Sequence, residues 1–199
     1  MGKKRSSKEE EKDDIEFSGM LKNGVHYLSG EIKESNVKPA IEFILNASLD
    51  PKCKHEHLTL VITSEGGYTS DGFALVDIMM GSRIPVRTVG LGEICSMGLL
   101  IFLSGEQGTR MLTPNCVILS HQWSGGSHGK EHELVAAQKF NDITTELVMR
   151  HYIRTTGLDK RSIREKLLPP HDVWFTAQEA KKLGICDQVK DLRPAQLKG

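Results

Sequence analysis

The stretch GEICSMGLLIFLSG, residues 92–105, sets a single hydroxyl, Ser96, between two apolar runs. A serine becomes a nucleophile when a base can take its proton, a second group orients that base, and N–H donors meet the developing oxyanion. Ser96 stands where a strand and turn give way to a helix, and the free N–H groups of a helix start favour negative charge. The N–H of Met97 is therefore one candidate donor, and Gly98 lets the backbone approach closely. Gly66-Gly67 ends an earlier strand and opens another helix, so the Gly67 N–H is a second candidate. In CVILSHQ, His121 closes an apolar strand as a candidate base, and in PPHDVWF, Asp172 is an acid beside apolar residues, suited to orient an imidazole. Parallel strands bring their C-terminal ends to one edge, where such groups can meet. Taken singly, each residue also has an ordinary structural reading. The pattern is not G-x-S-x-G, since Gly92 lies four residues before Ser96 and Gly98 two after.

Other chemistry-bearing clusters carry less. HGKEH (128–132) matches the H-x-x-E-H zinc-protease pattern, but Gly125, Gly126 and Gly129 crowd it and no third ligand is evident, so it reads as a polar helix start with no metal. CKHEH (53–57) reads as a solvated loop. Cys53, Cys95, Cys116 and Cys186 form no CxxC pair, which suits a reducing compartment and a cytoplasmic setting better than a disulfide framework. Cys95 reads as a small apolar filler.

The elements that must position these residues follow from periodicity. GVHYLSGEI reads as a strand with a turn, NVKPAIEFILNASL as an amphipathic helix, and LTLVIT (58–63) as a buried strand that SEGG breaks. TSDGFALVDIMMG follows as a helix ending at Gly81. PVRTVGLG is the next strand, the Ser96 stretch a turn and helix, and TRMLT and CVILSHQ short strands. This alternation predicts an α/β fold with helices on mainly parallel strands. A proline-free run from about Lys130 to Thr156, closing at Gly157, is long for a globular helix and predicts a projecting feature. A short helix near 160–168 and a last one, capped by Thr176 with Glu179 and stopped by Gly184, complete the set.

A length of 199 residues suits one domain, taken as 16–192, with a disordered polar tail over 1–15 and a C-terminal tail over 193–199. Met1-Gly2 with Ser6 fits the loose myristoylation pattern, though a solvated tail is the plainer reading. The 26 basic residues balance 26 acidic ones, so no charge bias points to nucleic acid or an anionic membrane. No apolar run approaches the roughly 18 residues of a membrane span.

Several motifs in order and register carry a resemblance. SEGG…DGFALVDIM, GEICSMGLLIFLSGEQGTRMLTPNCVILSHQ and DVWFTAQEAKKLGICDQV resemble the Clp proteolytic subunit family over roughly 25–189. The resemblance implies a ClpP/crotonase-like α/β fold of repeated ββα units with a long projecting handle helix. It implies Ser96 as nucleophile, His121 as general base and acid, Asp172 as orienting carboxylate, and Gly67 and Met97 as oxyanion-hole donors. The helix from about Lys130 resembles the handle that interlocks two heptameric rings into a chamber. WSGGSHGKEHE resembles the glycine-rich strand, with Gly125 and Gly126, that binds unfolded polypeptide as an added strand. No cofactor is implied: ATP belongs to a partner AAA+ unfoldase, and no P-loop pattern occurs here.

The chain departs from the family in places. Glu65 replaces the proline of S-P-G-G, and Trp123 the proline after His-Gln. Glu65 pointing outward spares the oxyanion hole, whereas pointing inward it opposes the negative charge. Thr59 and Val61 stand where many members carry tyrosines of the ATPase-docking cleft, Gly81 stands where another aromatic is common, and the apolar N-terminal motif is missing. These changes put the usual ATPase in question and resemble Clp-like proteases carried by bacteriophages. Two alternatives stay open: a crotonase-type acyl-CoA enzyme, which needs the two backbone donors and no triad, and a catalytically silent ring subunit.

Overall fold

The computed structural model describes residues 19–199, so the polar tail over 1–15 and the Met1-Gly2-Ser6 pattern lie outside the described residues. The chain runs β1 (Val25–Ile32), α1 (Glu34–Leu49), β2 (Leu58–Gly67), α2 (Thr69–Gly81), β3 (Val86–Cys95), α3 (Met97–Leu103), β4 (Met111–Leu112) and β5 (Val117–Ser120). It continues through α4 (Glu131–Thr156), α5 (Lys160–Lys166), β6 (Val173–Thr176), α6 (Ala177–Lys182) and β7 (Gln188–Val189). The sheet order is β1-β2-β3-β4-β7, all parallel. This is the mixed α/β architecture with a mainly parallel sheet expected of the Clp protease fold.

The sheet forks at β3. Val89 and Gly90 pair with β4, whereas Glu93, Ile94 and Cys95 pair with β5, and β6 adds antiparallel to β5. Between the two pairings sits Gly92, whose φ of 63° lies in the left-handed region that a glycine enters without steric cost. That turn carries the end of β3 away from β4 and delivers Ser96 beside β5.

Apolar patterning places the core. Every residue of α3 is buried, and the helix packs against β2, β3 and α2. Leu28, Leu60, Ile62, Ile94 and Phe102 lie within this main cluster. The opposite sheet face holds a smaller cluster of Val25, Val61, Val89 and Met111, covered by Leu192 and Leu197. Part of the segment 193–199, expected as a C-terminal tail, thus lies against the sheet. The Thr59 hydroxyl donates to Leu197 O at 3.0 Å, and the Gly199 N–H donates to Asn23 O at 3.0 Å.

Three expectations change. SEGG does not end β2. Gly66 and Gly67, at φ 101° and 152°, continue the pairing with β1 past an irregularity. There Ser64 Oγ donates to Gly30 O and accepts the Gly66 N–H. VWFT supplies a strand, β6, that its four residues and half-buried alternation hid. The glycine-rich segment over 121–130 forms no strand within the chain, because both β5 and its partner β6 stop beside it, at Ser120 and Val173.

The long helix is present over Glu131–Thr156, with Gly157 in the left-handed region at its end. Its buried residues begin at Thr144, and the half before that leaves Leu134, Val135, Phe140 and Ile143 exposed. The expected capping box at α6 is also present: Thr176 Oγ1 accepts the Glu179 N–H, and Glu179 Oε2 accepts the Thr176 N–H. Among the described residues, no helix is long and apolar enough to cross a membrane.

Candidate active site at the fork of the sheet

The ladder positions the three predicted side chains. Cys95 pairs with Leu119, and the Ser96 N–H donates to Leu119 O at 3.0 Å. Ser96 therefore stands one step past the end of β3, beside Ser120 and His121 at the end of β5. On the other side of β5, Ser120 pairs with Val173. One step further, antiparallel register sets His121 opposite Asp172. Ser96, His121 and Asp172 thus occupy one edge of three neighbouring strands. Ser96 and His121 are half-buried and Asp172 is exposed. Among the described residues, no hydrogen bond joins the three side chains to one another.

Ser96 is the only non-glycine residue at positive φ among those described, with φ 53° and ψ −122°. This is a conformation that glycine favours and L side chains rarely adopt. The surroundings over-determine it. Its carbonyl accepts the Leu99 and Leu100 N–H groups of α3 while its N–H is held by β5. Gly66 backs directly onto it, since a Cβ there would lie 2.5 Å from Ser96 Cβ and 3.0 Å from Cys95 O. Gly98 lies against Ser64, where a Cβ would come within 2.9 Å of Ser64 Cβ, and the Met97 side chain fills the space that the missing Cβ of Gly72 leaves. The three glycines at 66, 72 and 98 therefore let β2, α2 and α3 close around the serine.

The N–H groups of Met97 and Gly98 are the first two of α3, beyond reach of any intrahelical carbonyl. Nearby, the Tyr68 N–H is committed to Ile32 O and the Gly66 N–H to Ser64 Oγ. Gly67 stands where β2 leaves the sheet on the same edge as Ser96. Glu65 is exposed, while Ser64 and Gly66 on either side are buried, so the carboxylate points outward. Cys95 is buried, and burial first, with the negative charge of Glu93 and Glu65 added, pushes its thiol up to about 11. It stays a protonated thiol beside the serine.

The remaining candidates fall elsewhere. Gly125 and Gly126 are exposed in the segment between β5 and α4, and Trp123 lies close to Gly125. His128 and His132 are exposed at the start of α4. CKHEH is not wholly a solvated loop. His57 is buried, with its Nε2 3.0 Å from Arg87 Nη1, because the C-terminal segment closes over it. No group of three or more His, Cys, Asp or Glu among the described residues is placed to hold a metal. Thr59 and Val61 are buried beneath Leu197, and Gly81 is exposed at the end of α2.

Sequence reasoning passed over the shell around His121. Ser120 is fully buried, its Oγ 2.8 Å from the Tyr152 hydroxyl, and it donates to Leu167 O at 2.6 Å. A serine inside the apolar run CVILS was the available signal. Arg110 was also missed as a tie. Its guanidinium makes a bidentate pair with Asp187 and donates to Thr155 O and Gly184 O, fastening β4 to the ends of α4 and α6.

A half-buried serine at a helix start, flanked by a histidine and an aspartate on adjacent strand ends, is an arrangement able to carry acyl transfer. A family model described as Clp protease matches residues 7–193, spanning both sheet branches, the long helix and every residue of this edge. With that match over nearly its whole length, the chain belongs to the Clp protease family.

Proposed function

We propose that the chain is the subunit of a serine endopeptidase that cleaves unfolded polypeptides inside a ring-shaped chamber. Ser96 Oγ attacks the scissile carbonyl as His121 takes its proton. The carbonyl oxygen becomes an oxyanion that accepts the N–H groups of Gly67 and Met97. The intermediate collapses to an acyl-enzyme as His121 returns the proton to the leaving amine. Water, activated by the same imidazole, releases the second product. Asp172 orients the imidazole and stabilises its charged form. Rotation of its exposed side chain brings it onto His121, since the backbone register is already in place.

The observation that carries this reading is the fork at β3, which sets Ser96, His121 and Asp172 on one edge while a glycine-lined pocket holds Ser96 in its unusual backbone conformation. The exposed apolar side chains of Leu134, Val135, Phe140 and Ile143 on α4 fit an assembly surface between copies. The unpaired backbone around Gly125 and Gly126 fits an extended substrate strand. No cofactor enters the reaction, and any ATP use belongs to a partner unfoldase. Thr59 and Val61, buried here under Leu197, argue that such a partner docks differently from those of typical members. The reading places the enzyme in the cytoplasm.

The test is hydrolysis of a short fluorogenic peptide and of unfolded casein, wild type beside Ser96→Ala, with particle mass measured on the same samples. Peptide cleavage by a ring-sized wild type that falls at least about a thousandfold in Ser96→Ala is the expected result. Equal cleavage by both proteins would reject Ser96 as the nucleophile.

A further inference from the structure

The shell around His121 forms one connected unit. Ser120 Oγ gives its only proton to Leu167 O, at 2.6 Å, so the Tyr152 hydroxyl, 2.8 Å away, is the donor to Ser120. Burial pushes the Tyr152 phenol up to about 12, so it remains protonated as that role requires. On the other side of His121, Gln122 Nε2 donates to Leu168 O at 3.0 Å. Trp123 Nε1 donates to Thr145 Oγ1 at 2.9 Å, and that hydroxyl donates onward to Asn141 O. Both neighbours of His121 thus grip the two carbonyls that begin the 167–172 loop, the stem of Asp172. Ser120 and Trp123 are also tied to hydroxyls on α4. The histidine and the aspartate are held by one clamp, and that clamp is anchored on the helix whose other half projects from the body.

We propose that Tyr152 and Ser120 are positioning residues that fix His121 relative to Asp172 by tying the end of β5 to α4 and to the loop that carries Asp172. This rests on the serine-peptidase reading above. Neither residue touches the reacting atoms. Their effect comes through backbone placement, to which general-base catalysis is sensitive at the ångström scale. Tyr152→Phe removes only the donor and leaves the Ser120–Leu167 bond, so it perturbs the clamp with little change in packing.

The test compares wild type, Tyr152→Phe, Ser120→Ala and the double variant as assembled particles. Three readouts apply: peptide-hydrolysis kinetics, the rate of Ser96 labelling by a serine-reactive phosphonate, and deuterium exchange over 118–124 and 166–173. The expected result is a loss of about tenfold in kcat and in labelling rate, with KM within about twofold. The double variant should be no worse than the poorer single one, because the two side chains act as a unit. Exchange should rise in both segments. An assembled Tyr152→Phe with wild-type kcat and exchange would overturn the proposal. So would losses that multiply in the double variant. If wild type itself resists the phosphonate, the peptidase reading fails. Exchange then decides the clamp alone: a rise in both segments supports it, and unchanged exchange overturns it.

Discussion

One arginine, Arg110, ties the start of β4 to the ends of α4 and α6. Its guanidinium is almost fully buried and bonds both oxygens of Asp187 as well as two helix-end carbonyls. Burial raises the Asp187 carboxyl pKa, but the Arg110 side-chain and backbone bonds, with the Gly108 N–H, outweigh it and hold the group below its ordinary value. Arg110→Met removes the guanidinium from both carbonyls and from that carboxylate, which keeps only its two backbone N–H donors. The expected loss is about 3–5 kcal/mol, as for breaking a buried pair, or roughly 10 °C in Tm by thermal melting. Sequence reasoning picked out the residues with a known chemical grammar, Ser96, His121 and Asp172. It missed Arg110, Ser120 and Tyr152, whose roles depend on partners between 32 and 77 residues away in the chain.

At the scale of elements, α4 divides into two. Its second half is packed into the core, while its first half buries almost nothing of its own chain. Proline at Ala137 costs about 3 kcal/mol locally by removing a helical N–H and clashing with the preceding turn. Since the core half begins only at Thr144, Ala137→Pro should leave a folded subunit by circular dichroism, lose the mass of a stacked double ring in light scattering, and lose peptide hydrolysis with it. A variant that remains fully assembled would reject this half-helix as the assembly surface. Legibility follows the same division. Long segments were readable, α1 because burial repeats along it and α4 because a proline-free run closes at Gly157. β6 and the continuation of β2 were not, since a four-residue strand and a glycine pair become strands only through the partners that register supplies.

For the whole molecule, acid is the relevant stress. Burial lowers the pKa of His26, to about 4, and is also the leading cause of lowering at His57 and His151. The unfolded chain therefore takes up these protons first as pH falls below about 6.5, and stability is lost progressively down to about pH 4. The urea midpoint should drop between pH 7 and pH 5. His151→Gln, which can still donate to Leu100 O, should lessen the drop. An unchanged slope in that variant would exclude His151 from the acid response. The proposed nucleophile sets a second limit on the whole. Ser96 holds a backbone conformation that costs a non-glycine residue of the order of 1–3 kcal/mol. Every other feature of the turn, from the glycines around it to the bond with Leu119, would suit glycine equally well. Thermal robustness and reactivity therefore pull in opposite directions at this one position. A lineage or a laboratory screen selecting only for heat resistance would be drawn to glycine at 96, giving a sturdier subunit that, on the proposed mechanism, no longer cuts.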